Sequence, residues 1–307
     1  MKTVHITTHY PRVVYWHGSG KDLTCLDIFK KQTPNNSGVW EDIRLVDDPI
    51  NCDYVATIHR ERVSEREILA DHPNKMFFPY EPGYVKQELG LPFLKNYNSI
   101  FQFSLKNGFE AASWWLSYNY DYLVSLLPPE KKYKNILSII DSGKGKLPGH
   151  QVRLKCIKQL IEDIPNQLHV HGRITLDKHK NINKTTPYKQ VIPYRANESA
   201  IIPYRYYLAL ENGQCDYYFS ERIRDCFLCW TVPIYWGCPN IDKFFPEGSY
   251  INIDPTDPNI KHVILDILNN DDYEKRLPAI AEARDLVLNK YNFVPTIKRA
   301  IDTGIIL

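Results

Sequence analysis

The chain has 307 residues, enough for two cores of roughly 150 residues each. Hydrophobic residues make up 43% and charged residues 24%, the proportions of an ordinary globular protein. The formal net charge is only +2 with no long basic run, which argues against nucleic acid or an anionic membrane as the main partner, since both need clustered Lys and Arg.

The N-terminus, MKTVHITTHYPRVVYW, starts as a strand over Lys2–Thr7 and continues as another over Val13–Trp16. It lacks the apolar core of a signal peptide, and no window approaches the roughly 18 uncharged apolar residues of a transmembrane helix. A soluble cytoplasmic protein is therefore expected, and its seven irregularly spaced cysteines are expected to be reduced thiols. Turn-rich segments lie at Thr33–Gly38 and Asp47–Asn51. Tyr54–Ile58 and Lys75–Pro79 are predicted as short buried strands and Ser64–Ala70 as a short helix. Trp114, Trp115, Tyr118, Tyr120 and Tyr122 form an aromatic group that suits either core packing or a sugar platform. Leu123–Lys134, with two prolines and several charges, has the composition of a linker.

Beyond it the pattern changes. Asn135–Ile140, Leu168–His171, Tyr204–Glu211, Val232–Trp236 and Tyr250–Ile253 read as strands. Gln151–Asp163, Glu221–Cys229, Lys261–Asn269 and Pro278–Asn289 read as helices. Short continuous apolar strands separated by helices predict a parallel sheet covered on both faces. Three segments are expected: an N-terminal Rossmann-like domain over 1–133, a second over 134–290, and a tail over 291–307 that packs back on the first.

Two loops carry candidate chemistry. After the strand at Asn135–Ile140 comes Asp141-Ser142-Gly143-Lys144-Gly145-Lys146, followed by a helix bearing Arg153. In an open α/β sheet, ligands bind beyond the carboxyl ends of strands, where helix N-termini offer free N–H groups to phosphate. The loop reads either as an anion site or as a solvated basic turn, and it lacks Walker spacing. The second loop joins Glu211 and Asn212 at the end of a strand to Ser220, an N-cap for the next helix. Glu221 and Arg222 then occupy the first helical turn, where a carboxylate can accept hydroxyl groups and a cation can reach a diphosphate. Capping electrostatics and a surface salt bridge are the plainer alternatives for the same pair. Cys226 and Cys229 fall inside an apolar helix with no second pair at finger spacing, which favours buried thiols over zinc ligands.

The segments YRYYLALENG and YFSER resemble the signature of glycosyltransferase family 10, the α1,3/4-fucosyltransferases, whose form is Y-K-F-x-L-x-F-E-N-S followed by Y-x-T-E-K. The continuation TVPIYWGCPNIDKFFPEGSYINI is similar to the same family's next stretch. Weaker likenesses run through Gln151-Val152-Arg153, His169–Arg173, Asp53–Glu61 and Met76–Pro82. The resemblance implies a GT-B fold, with two Rossmann-like domains facing a cleft. It also implies inverting transfer of L-fucose from GDP-β-L-fucose to a glycan hydroxyl. Carried over residue by residue, it places donor binding on Arg153, Glu211, Asn212, Tyr218, Ser220, Glu221 and Arg222 and the catalytic carboxylate on Glu81. Arg222 stands where the family has lysine, exchanging a point charge for a planar fork. A second nucleotide sugar, or a dead scaffold that only binds glycans, are the rival readings. No metal or other cofactor is expected, since a D-x-D pair for a metal–diphosphate site is missing from the sequence.

Overall fold

The computed structural model describes residues 1–8, 25–58, 61–78, 114–141, 143–145, 147–172, 188–191 and 196–303. Two α/β sheets organise them.

The first sheet contains β1 (Lys2–Thr8), β2 (Val39–Trp40), β3 (Ile43–Val46), β4 (Tyr54–Ile58) and β5 (Lys75–Phe78) in the order β2-β3-β1-β4-β5. All neighbours are parallel except the short β2–β3 pair at one edge. Its core joins Val4 and Ile6 to Ile28 and Phe29 of helix α1 (Cys25–Lys30). The segment predicted as a helix at Ser64–Ala70 is a 3₁₀ turn at Val63–Glu65 followed by further turns. Glu65 there turns inward and accepts from Thr7 Oγ, while His5 Nε2 lies 3.2 Å away.

A short helix, α2 (Tyr120–Ser125), is capped by Asn119, whose side chain accepts the Tyr122 N–H. It leads into the second sheet, made of β6 (Tyr133–Asp141), β7 (Leu168–Gly172), β8 (Tyr188–Val191), β9 (Tyr204–Leu210), β10 (Val232–Trp236) and β11 (Ile251–Asn252). All described pairings are parallel, and the order is β11-β10-β9-β6-β7-β8. From β6 the chain winds outward through β7 and β8, then returns to the other side of β6 with β9. The switch point of this doubly wound sheet thus lies between β6 and β9, where ligands bind in such folds.

Burial on both faces explains the strand composition. Tyr206, Leu208 and Leu210 of β9 face helices α3 (Pro148–Asp163) and α6 (Ile260–Asn270) through Ile157, Leu160 and Ile264. Tyr207 and Ala209 face the opposite way, toward Ile223 and Phe227 of α5 (Glu221–Leu228) and Val287 of α7 (Tyr273–Asn289). Helix α4 (Glu198–Ile201) closes the same side. The last helix, α8 (Phe293–Asp302), lies in the core of the first sheet: the Phe293 ring sits 4.6 Å from Phe29 and 5.2 Å from Phe78. Helix α7 begins at Tyr273, five residues before the proline taken as its start, because burial of Tyr273 extends the helix past the N–H that Pro278 lacks.

Candidate active site

The loops after β6 and β9 leave adjacent strands at the switch point and close on each other. Gly149, the second residue of α3, lies so near the β9–α5 loop that a Cβ there would come within 2.2 Å of the Asn212 carbonyl. His150 Nε2 lies 3.1 Å from Asn212 Oδ1, and Arg153 Nη1 donates to the same oxygen at 3.3 Å and to the Leu210 carbonyl at 3.4 Å. Arg153 is fully buried, and its Nε and Nη2 have no hydrogen-bond partner among the described residues. Burial and the nearby charge of Arg222 push its pKa down to about 9. A buried cation with unused donors is a costly arrangement unless an anion completes it.

Glu211 directly follows β9 and is fully buried. Its carboxylate accepts the Ser220 backbone N–H at 2.8 Å and the Ser220 hydroxyl at 2.6 Å. The same Ser220 oxygen accepts the Arg222 N–H at 3.2 Å, so one serine caps α5 and anchors the glutamate. Burial raises the Glu211 pKa to about 7 against those hydrogen bonds. Within the loop, Tyr217 adopts a left-handed φ of 65°, held by its N–H bond to Asn240 Oδ1 at 2.9 Å. A non-glycine residue in that region carries strain of about 1–2 kcal/mol, which the loop's packing must offset. Tyr218 is buried beside it.

Glu221 and Arg222 line a small polar cleft, together with Ile140, Asn197, Tyr207 and Asp225. Asp225 lies one turn beyond Glu221 on the same face of α5. It accepts from the Trp115 N–H at 3.1 Å and from Asn197 Nδ2 at 3.0 Å. Burial, with the Glu221 charge acting in the same direction, raises its pKa to about 8. The Tyr207 hydroxyl accepts the Ile140 N–H at 3.1 Å. These three cleft residues were not singled out from the sequence. The i, i+4 spacing from Glu221 is the signal that could have found Asp225; Tyr207 and Asn197 depend on pairing between distant segments.

Of the residues predicted for the site, Glu211, Asn212, Tyr218, Ser220, Glu221 and Arg222 lie on the loop after β9 and the first turn of α5, and Arg153 lies in the second turn of α3. Glu81 lies outside the described residues. Trp114 is buried and donates to the Tyr118 carbonyl, and Tyr120 packs on Trp40, so these two rings belong to the core. His169 and His171 both hydrogen-bond the Tyr204 hydroxyl inside the sheet, at 2.8 and 3.2 Å. Cys226 and Cys229 are buried with strongly raised pKa values, and all seven cysteines are free. Among the described residues, no group of three metal-ligating side chains occurs, and no helix is long and apolar enough to cross a membrane.

Two parallel α/β sheets, with a ligand crevice at the switch point of the second, define a GT-B glycosyltransferase fold. Trehalose-6-phosphate synthase OtsA shares it at a TM-score of 0.55 and 10% identity, with 99% of each chain covered. An α1,3-fucosyltransferase crystal structure shares it at 0.50 and 15% identity, over 99% of this chain and 90% of that one. Residues 130–274, which span the second sheet, match the model for glycosyltransferase family 10 (fucosyltransferase) C-term. Over 50 residues the chain is 40% identical to the α-(1,3)-fucosyltransferase FucT of Helicobacter pylori. That match spans 16% of this chain and 10% of the relative.

Proposed function

We propose that the chain is an inverting α1,3-fucosyltransferase that transfers L-fucose from GDP-β-L-fucose to a glycan hydroxyl. The observation that carries this reading is Arg153, a buried guanidinium with unused donors at the switch-point crevice of a family 10 domain. In this reading the acceptor oxygen attacks the anomeric carbon from the face opposite the nucleotide, the carbon–oxygen bond to GDP breaks, and the sugar inverts. Arg153, Arg222 and the N–H groups opening α3 and α5 neutralise the charge that develops on the leaving diphosphate. Glu211 and Ser220 hold the loop that presents Arg222, and Glu221 accepts hydroxyl groups of the donor. The residues of the first sheet bind the acceptor, and Glu81 takes its proton. In this reading the reaction needs no metal, since cationic side chains supply the charge, and it takes place in the cytoplasm.

The test is a thermal-shift and hydrolysis screen across GDP-, UDP- and dTDP-sugars. GDP-fucose at about a hundredfold excess over Kd should stabilise the protein by about 2.7 kcal/mol. Activity should survive EDTA, and Glu81→Gln should lower kcat by about 10²–10⁴-fold with GDP affinity kept. Equal or better stabilisation by UDP would favour the second reading, another nucleotide sugar, which the arginine at position 222 motivates.

A further inference from the structure

We propose that His150 is a positioning residue for the donor: as a neutral imidazole it orients the Asn212 amide so that its N–H groups, not its carbonyl, are offered to a diphosphate oxygen. The proposal rests on the donor reading for the ligand, but its geometric half stands without it.

His150 is the third residue of α3, and its Nδ1 accepts the backbone N–H of Leu147 at 3.3 Å. A ring nitrogen that accepts a hydrogen bond carries no proton, so the proton of the neutral ring lies on Nε2. Nε2–H then donates to Asn212 Oδ1 at 3.1 Å, the oxygen that also receives Arg153 Nη1 at 3.3 Å. Two donors converging on one atom fix the sense of the amide. Turned by half a rotation, Asn212 would set its own N–H groups against those of both neighbours. The Nδ2 hydrogens therefore lie on the side away from α3.

Protonation of His150 would undo this. A second proton on Nδ1 would face the Leu147 N–H, and the groups around the ring oppose it. Burial comes first, followed by the positive charges of Arg153, Lys144 and Arg222, and together they hold the His150 pKa near 4. The missing Cβ at Gly149 lets the Asn212 carbonyl approach the start of α3 closely. Arg153 adds Nε and Nη2, without partners among the described residues. Guanidinium and amide N–H groups suit phosphate oxygens, which accept without donating.

The experiment uses the full chain. Calorimetric titration with GDP compares the parent with His150→Leu, His150→Gln, Asn212→Ala and the double variant His150→Leu/Asn212→Ala. Glutamine can place an N–H where Nε2–H stands; leucine cannot. His150→Leu should weaken GDP binding about tenfold, and His150→Gln should recover most of it. In the Asn212→Ala background, His150→Leu should cost less than about twofold more, because its effect passes through the amide. Equal losses in both backgrounds, or no recovery with glutamine, would overturn the proposal. A second measurement needs no ligand: the imidazole ¹⁵N spectrum between pH 6 and 8 should show His150 protonated on Nε2 alone. A proton on Nδ1, or a charged ring, would overturn it as well. If the parent binds no GDP while the spectrum shows the Nε2 tautomer, the donor reading fails and the His150–Asn212 linkage stands.

Discussion

Gly237 leaves no room for a side chain because Glu211 fills the space: a Cβ at 237 would lie 2.3 Å from Glu211 Cγ and 2.5 Å from the Tyr235 hydroxyl. That hydroxyl lies 3.5 Å from Glu211 Oε1 and accepts the Cys238 N–H at 2.9 Å. The glycine that follows Tyr-Trp in β10 is thus required by the glutamate that directly follows β9. Gly237→Ala should destabilise the protein by about 1–3 kcal/mol, as overpacked cores do, and should release Ser220 from Glu211. Urea denaturation would read the first effect and GDP affinity the second. Unchanged values for both would mean that the two strand ends have room to separate.

Glu211 also makes a pH prediction. Its folded pKa, about 7, lies above the ordinary carboxyl value. Between about pH 4.3 and 7 the folded state therefore binds more protons than the unfolded state, and this group's contribution to stability falls as pH rises through that window. Glu211→Gln keeps an oxygen for the Ser220 N–H and an N–H₂ for its hydroxyl, but does not titrate. The Tm difference, variant minus parent, should grow from pH 5 to pH 8, reaching on the order of 2–3 kcal/mol in stability. Asp225 shifts the same way in both proteins and cancels in the difference. A difference flat with pH would mean that Glu211 is charged throughout.

Much of the second sheet was legible because each strand is a short apolar run buried on both faces. Val232–Trp236 appears in the fold with the bounds expected. The site loops were legible for the same reason: they follow strands that could be read. What escaped depends on contacts far apart in sequence. Helix α8 was read only as a tail, since its apolar face is meaningful only against Phe29 and Phe78. Lys131, placed in a polar linker, is buried and donates to the Ile202 and Cys229 carbonyls and to Thr231 Oγ1, at 2.9, 2.8 and 2.9 Å. It ties together the ends of α4 and α5. Lys131→Met should cost about 1–3 kcal/mol by leaving buried carbonyls unpaired. Guanidinium denaturation at neutral pH checks this, and a variant as stable as the parent would mean that water replaces the ammonium.

Arg153 separates stability from binding. It is a buried guanidinium whose Nε and Nη2 find no acceptor among the described residues, and desolvation lowers its pKa to about 9. A structural arginine placed there would be poorly designed; one kept for an anion would be expected to cost stability until the anion arrives. Arg153→Met keeps most of the aliphatic volume and removes the charge. It gives up two long hydrogen bonds, to the Leu210 carbonyl and to Asn212 Oδ1, each worth about 1 kcal/mol. Against this stands relief of a buried charge that Asp141 and Glu211 offset only in part, worth several kcal/mol. The relief is the larger effect, so ligand-free Arg153→Met should melt higher than the parent, while GDP affinity should fall by at least tenfold because a charge-assisted partner worth about 1.5–3 kcal/mol is gone. Differential scanning calorimetry with and without GDP reads both at once. A variant that melts lower and still binds GDP would make Arg153 a structural residue, and the diphosphate would then need another cation.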